Sequence, residues 1–234
     1  MGYGYYYGYG VDWTYLLVVI GIVISLLASA RVKSTFNRYS KVRSTQGLTA
    51  AAAAQMILQR AGIYNVRIQP IAGNLTDNYD PTNKVLHLSQ STMNSTSVAA
   101  IGVAAHECGH AIQDAKDYTP MRIRGSLVPA VNIGSKTAIP LILIGFVMGF
   151  FKPLITIGIL MFSLTVLFQL VTLPVEFDAS RRAIAILSDS GLLIEEEVKG
   201  ARKVLNAAAL TYVAAAAASA LQLLRLILLS NRRR

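Results

Sequence analysis

The sequence has a single cysteine, Cys108, in 234 residues, so no disulfide can close within the chain and cysteine pairing says nothing about redox compartment. Charge is also sparse. Asp, Glu, Lys and Arg make up 15% of the chain against 53% hydrophobic residues, and the mean hydropathy is +0.47. That balance excludes an ordinary soluble domain, and lipid must solvate part of the molecule. Acids are scarcer than bases, 12 against 22, giving a formal charge of +10. A nucleic-acid binder would set those cations on a soluble face with aromatics between them. Here they flank apolar runs, which fits anionic headgroups and topology signals, and no nucleic-acid partner is expected. No internal repeat is visible, which argues against a repeat-built transporter.

What is present divides the chain into five stretches. Residues 1–30 comprise a Tyr- and Gly-rich start, expected to be poorly ordered near the headgroups, and an uncharged apolar run at 13–30 of membrane-spanning length. No positive charge precedes that run, so it reads as an anchor and not a cleaved signal peptide. Arg31, Lys33, Arg38, Lys41 and Arg43 follow it directly. The positive-inside rule therefore predicts a cytoplasmic flank and a cytoplasmic active domain.

Residues 31–126 carry that domain. Thr49 is a candidate N-cap for a helix at 50–60 that Gly62 stops. Val66, Ile68 and Ile71 keep a strand-like spacing, and the turn signal Asp80-Pro81-Thr82-Asn83 leads into a strand at 84–89. Ser95 or Thr96 is placed to cap the next helix, running to about Ala115. Residues 127–173 are apolar with a break at Phe151-Lys152-Pro153, the pattern of a transmembrane hairpin that ends at Pro174. Asn132 and Lys136 within it read as snorkelling or a late membrane entry. A returning helix at 176–190, stopped by Gly191, and an amphipathic helix at 194–206 fill residues 174–206. Residues 207–234 form an apolar C-terminal helix, interrupted by Arg225, and a basic tail. The tail's charge favours three spans plus a buried or interfacial fourth helix.

Chemistry concentrates in His106-Glu107-Cys108-Gly109-His110, an H-E-x-x-H motif within the helical stretch. The i, i+4 spacing sets both imidazoles on one face, where they can share zinc. Glu107, one step along, can reach a water at the metal without occupying it, the position of a general base. Cys108 lies roughly 200° around the helix from His106 and reads as packing. A catalytic zinc needs a third protein ligand and an open fourth position. His87 reads as a strand or groove-wall residue, so a carboxylate on another helix is expected, with Glu176 first and Asp178 its competitor. Arg181, Arg182 and Tyr118 are candidate oxyanion donors by chemistry.

Taken together, the anchor with its basic flank, NYDPTNKVLHLS, AAHECGHAIQ and PVEFDASRRA resemble the YugP family of membrane neutral zinc metallopeptidases over nearly the whole chain. More broadly they resemble gluzincin membrane peptidases such as HtpX and the CAAX prenyl protease. The resemblance implies that His106, His110 and Glu176 hold zinc and that Glu107 is the base. It also implies that the strand at 84–89 lines a cleft in which an extended peptide pairs by strand addition. Where the broader pattern has an acid that orients a zinc-bound histidine, this chain has Ser180, whose hydroxyl can accept the same hydrogen bond.

The expected fold is α+β, mainly α: an integral membrane protein of the cell membrane, with a small zincin-like cytoplasmic domain and a hairpin inserted between the H-E-x-x-H helix and the glutamate helix. The expected activity is hydrolysis of peptide bonds by a zinc-activated water, on peptides or membrane proteins. A non-catalytic membrane scaffold with structural zinc is the alternative.

Overall fold

A computed structural model describes residues 12–231. The Tyr- and Gly-rich start through residue 11 and the arginine tail at 232–234, with the expectations attached to them, lie outside the described residues.

Six helices and three strands follow in the order α1 (Tyr15–Tyr39), α2 (Ala50–Arg60), β1 (Arg67–Ile71), β2 (Asn78–Asp80), β3 (Val85–Ser89), α3 (Val98–Ala115), α4 (Thr119–Val147), α5 (Lys152–Asp189) and α6 (Glu195–Asn231). The molecule is mainly helical with one small sheet. Local signals set several bounds. Thr49 accepts from the Ala52 amide at the start of α2, and Gly62 turns the chain at φ +72° past its end. Asp80 accepts from the amides of Thr82 and Asn83, closing the turn between β2 and β3.

The sheet has the order β1-β3-β2, with β1 parallel and β2 antiparallel to β3. The expected cleft-lining strand, β3, is thus paired on both sides and offers no edge to a peptide. The edges are β1 and β2, and β2 is the one that borders the cavity described below. Tyr79 Oη donates to Asp114 Oδ2 at 2.6 Å and Lys84 Nζ to the same oxygen at 2.5 Å, fastening the β2–β3 hairpin to the end of α3.

Three expectations about helix ends are corrected. The α3 cap is Ser97, not Ser95 or Thr96: its backbone is extended and its hydroxyl accepts from the Ala100 amide, while Ser95 supports it by accepting from the Ser97 amide. No separate helix begins at 176 after Pro174, because α5 runs unbroken from Lys152 to Asp189 with Pro174 inside it. The boundary expected between 206 and 207 is also absent, and α6 is one helix of 37 residues. An Ala-rich run has high helix propensity and gives the chain no reason to stop there.

Close approaches at small residues fix the helix packing. Gly134 meets the Met161 backbone and Gly158 the Ala138 carbonyl, so α4 and α5 pack antiparallel. Gly21 meets Ala218 and Gly200 meets the Tyr39 ring, so α1 and α6 do likewise. α1, α4, α5 and α6 are each long and apolar enough to cross a membrane. α5, with 38 residues, is about 57 Å long, well beyond a hydrocarbon core of ~30 Å. α3 lies at the centre of the remaining core, with Ile57 and Leu58 of α2, Leu86 and Leu88 of β3, Leu187 of α5 and Leu205 of α6 buried around it.

Candidate metal centre

The motif helix reaches α5 through Gly109. A Cβ at that position would lie 2.5 Å from the Ala179 carbonyl oxygen, so only glycine lets the two backbones come this close. At that crossing, α3 presents His106 and His110 one turn apart, and α5 presents Glu176 and Ser180 one turn apart.

The resulting cluster is compact. Glu176 Oε2 lies 3.3 Å from His106 Nε2 and 3.6 Å from His110 Nε2. Ligand atoms of the three residues all fall within 4.8 Å of one another, and no fourth His, Cys, Asp or Glu joins them among the described residues. The other ring nitrogens are already engaged. His106 Nδ1 is 3.1 Å from Ser180 Oγ, and His110 Nδ1 is 3.0 Å from Gln113 Oε1.

Gln113 decides the His110 tautomer. Its Nε2 donates to the Val175 carbonyl at 2.8 Å and to Asp178 Oδ2 at 3.0 Å, so its oxygen must face the imidazole. His110 Nδ1 therefore carries the hydrogen, and Nε2 is free to turn its lone pair to a cation. Two imidazole nitrogens and one carboxylate oxygen, all inward-facing and with no further donor, fit zinc with an open position. Burial lowers the affinity of His110 for a proton, but the hydrogen bond that its protonated ring donates to Glu176 and the charge of Glu107 outweigh it and raise the pKa above the ordinary value. A metal must displace that proton.

The cluster opens on a cavity of about 310 Å³, bounded by Asp77 to Tyr79 from the β2 edge, Glu107 and His110 from α3, Arg124 and Val128 from α4, Phe168 and Glu176 from α5, and Tyr212 from α6. Glu107 faces this cavity without belonging to the three-residue cluster. Burial pushes its carboxyl above the usual range, against the opposing pull of His106 and His110.

The profile of a family described as "Putative neutral zinc metallopeptidase" matches residues 14–231. The chain belongs to this family. It is also 45% identical over 213 residues to a Bacillus subtilis (strain 168) protein named "Putative membrane protease YugP", an overlap covering 91% of this chain and 94% of that relative. No solved structure matches. Zinc is the metal of the family, and the His106, His110 and Glu176 group is where this chain can bind it.

Other residues singled out in the sequence lie elsewhere. Asp178 is buried away from the cluster, where it accepts from Gln113, Arg181 and Arg182. Neither arginine lines the cavity beside the cluster, and Tyr118, under Arg182 at 5.8 Å, does not line it either. His87 Nδ1 pairs with Asn78 Oδ1 at 3.2 Å on the sheet. Cys108 is buried, its Sγ 3.6 Å from the Ala54 carbonyl oxygen. Three site residues gave no sign in the motif reading. Gln113 is one helical turn from His110, so its spacing could have revealed it. Arg124 and Tyr212, far away in sequence on α4 and α6, carried no such signal.

Proposed function

We propose that this chain is a membrane-embedded zinc endopeptidase that cuts peptide bonds near the cytoplasmic membrane surface. The observation that carries the reading is the convergence of His106 Nε2, His110 Nε2 and Glu176 Oε2 at the mouth of a cavity that Glu107 also lines. When bound there, zinc supplies a Lewis acid that sharpens the acidity of a water and polarises a peptide carbonyl. Glu107 takes the water's proton and delivers it to the departing amine, a role that its burial-raised pKa suits. Ser180 and Gln113 hold the two imidazoles in orientation. Arg124 Nη1 reaches Glu176 Oε1 at 3.3 Å, which leaves Oε2 turned to the histidines. Tyr212, whose hydroxyl shares a hydrogen bond with Glu176, lines the same cavity and would turn from that carboxylate to donate to the carbonyl oxygen as charge develops on it.

Substrate enters as an extended segment along the β2 edge, with an apolar side chain seated against Val128 and Phe168. The α4–α5 pair is the transmembrane hairpin, set between the motif helix and the glutamate end of α5. The basic residues after the apolar part of α1 hold the soluble part of the chain at the cytoplasmic face of the cell membrane. A structural zinc site would call for four protein ligands, and the group of three argues against it. The test is removal and return of metal. Dialysis of the purified chain against a chelator should abolish cleavage of an unfolded protein substrate, and stoichiometric zinc should restore it. Undiminished cleavage by zinc-free protein would refute the assignment.

A further inference from the structure

We propose that the groove between α1 and α6, on the face formed by Arg31, Arg38 and Lys203, is a headgroup site for an anionic phospholipid. The groove encloses about 320 Å³ and is lined by those three cations together with Ser34, Thr35 and Asn206, among others. On α1, Arg31, Thr35 and Arg38 follow the i, i+4, i+7 stripe; on α6, Lys203, Asn206 and Leu210 follow i, i+3, i+7. Antiparallel packing fixed at Gly21–Ala218 and Gly200–Tyr39 sets Arg38 level with Lys203 and Arg31 towards Leu210.

The lining is one-sided in its chemistry. No acid faces the groove, and none of the three cations makes an ion pair with a carboxylate among the described residues. Arg38 lies over the adjacent Tyr39 ring at 5.7 Å, a contact that leaves its charge uncompensated. Helix packing thus gathers like charges and several hydrogen-bond donors on one face, an arrangement that a phosphodiester relieves.

The groove also sits at the right level for a lipid. Both helices change from polar to apolar there, α1 running apolar before Arg31 and α6 after Asn206. Continuing the Arg31 stripe towards the start of α1 reaches Leu27, Ile24 and Ile20, all exposed, and Leu210 is exposed on α6. A phosphate held by the cations would lay its acyl chains along that apolar stripe.

The test uses full-length protein purified in a neutral detergent, with thermal unfolding and native mass spectrometry as readouts. Phosphatidylglycerol should raise the unfolding temperature by about 5 °C at saturation and should remain bound in the mass spectrum. Phosphatidylcholine should do neither. The combined Arg31→Gln, Arg38→Gln, Lys203→Gln variant should lose both effects. A charge-matched control, Lys33→Gln, Lys41→Gln, Arg202→Gln, changes exposed cations outside the groove and should keep them. Equal loss in the control would show diffuse surface attraction and overturn the site, as would retention in the groove variant. Inorganic phosphate matching the lipid's effect would overturn the lipid as occupant in favour of the free anion.

Discussion

α3 and α1 are both apolar helices, yet they solve opposite problems. α3 is buried along most of its length, and the side chains that orient its metal site find partners: His106 meets Ser180, His110 meets Gln113, and Gln113 meets Asp178 and the Val175 carbonyl. α1 buries only Gly21, Ala28 and Phe36, and leaves Leu16, Leu26 and Leu27 exposed. The first helix is solvated by protein, where packing is exact in shape and each polar atom must be matched. The second has an apolar face suited to lipid, which tolerates any side chain of similar hydropathy. Equivalent substitutions should therefore have very different effects in the two places.

The largest effect is expected at the metal cluster. Glu176→Ala removes the one carboxylate that faces both imidazoles and leaves Arg124 without its partner, so metal analysis should find zinc lost and cleavage at background. Retained stoichiometric zinc would move the third ligand elsewhere. Next is Gly109→Ala, whose added methyl meets the Ala179 backbone at 2.5 Å, where no side chain can move aside. Overpacking of this kind costs about 1–3 kcal/mol. Unfolding should occur several degrees lower and zinc should bind more weakly, since the same crossing sets the distance from the histidines to Glu176. Gln113→Leu keeps much of the volume but releases the His110 tautomer, and a 10- to 100-fold loss of zinc affinity is expected at roughly constant fold. An unchanged affinity would show that His110 needs no partner at Nδ1. The smallest effect belongs to α1: Leu26→Val at an exposed position should shift stability in bilayers by less than about 0.5 kcal/mol. A larger loss there would show that this face is covered by protein.

The same contrast explains what could be read from the sequence. The α2 cap at Thr49, its stop at Gly62, the turn after Asp80 and the motif helix rest on local chemistry, and each is found in the structure. The pairing of Glu176 with the motif was legible only coarsely, as the need for a third ligand met by the first acid after the apolar hairpin, and resemblance then singled it out from Asp178. Expectations failed where tertiary packing outweighed local signals. Pro174 is tolerated inside α5, a helix packed against α3, α4 and α6. The strand expected at 84–89 is the most buried of the three and lies at the centre of the sheet, leaving the edges to β1 and to the three residues of β2. Arg124 and Tyr212 reach the cavity from helices whose residue patterns register only length and apolarity.

The most direct test of the central claim is a paired measurement on purified wild type and Glu107→Gln: zinc content, and cleavage of casein or a membrane-protein substrate. Glu107 lines the cavity but is not part of the metal group, so equal zinc in both proteins is expected, with cleavage reduced about 10²- to 10⁴-fold or more in the variant. Equal cleavage by both proteins, or loss of zinc from Glu107→Gln, would contradict the assignment of Glu107 as the base beside a three-residue metal site.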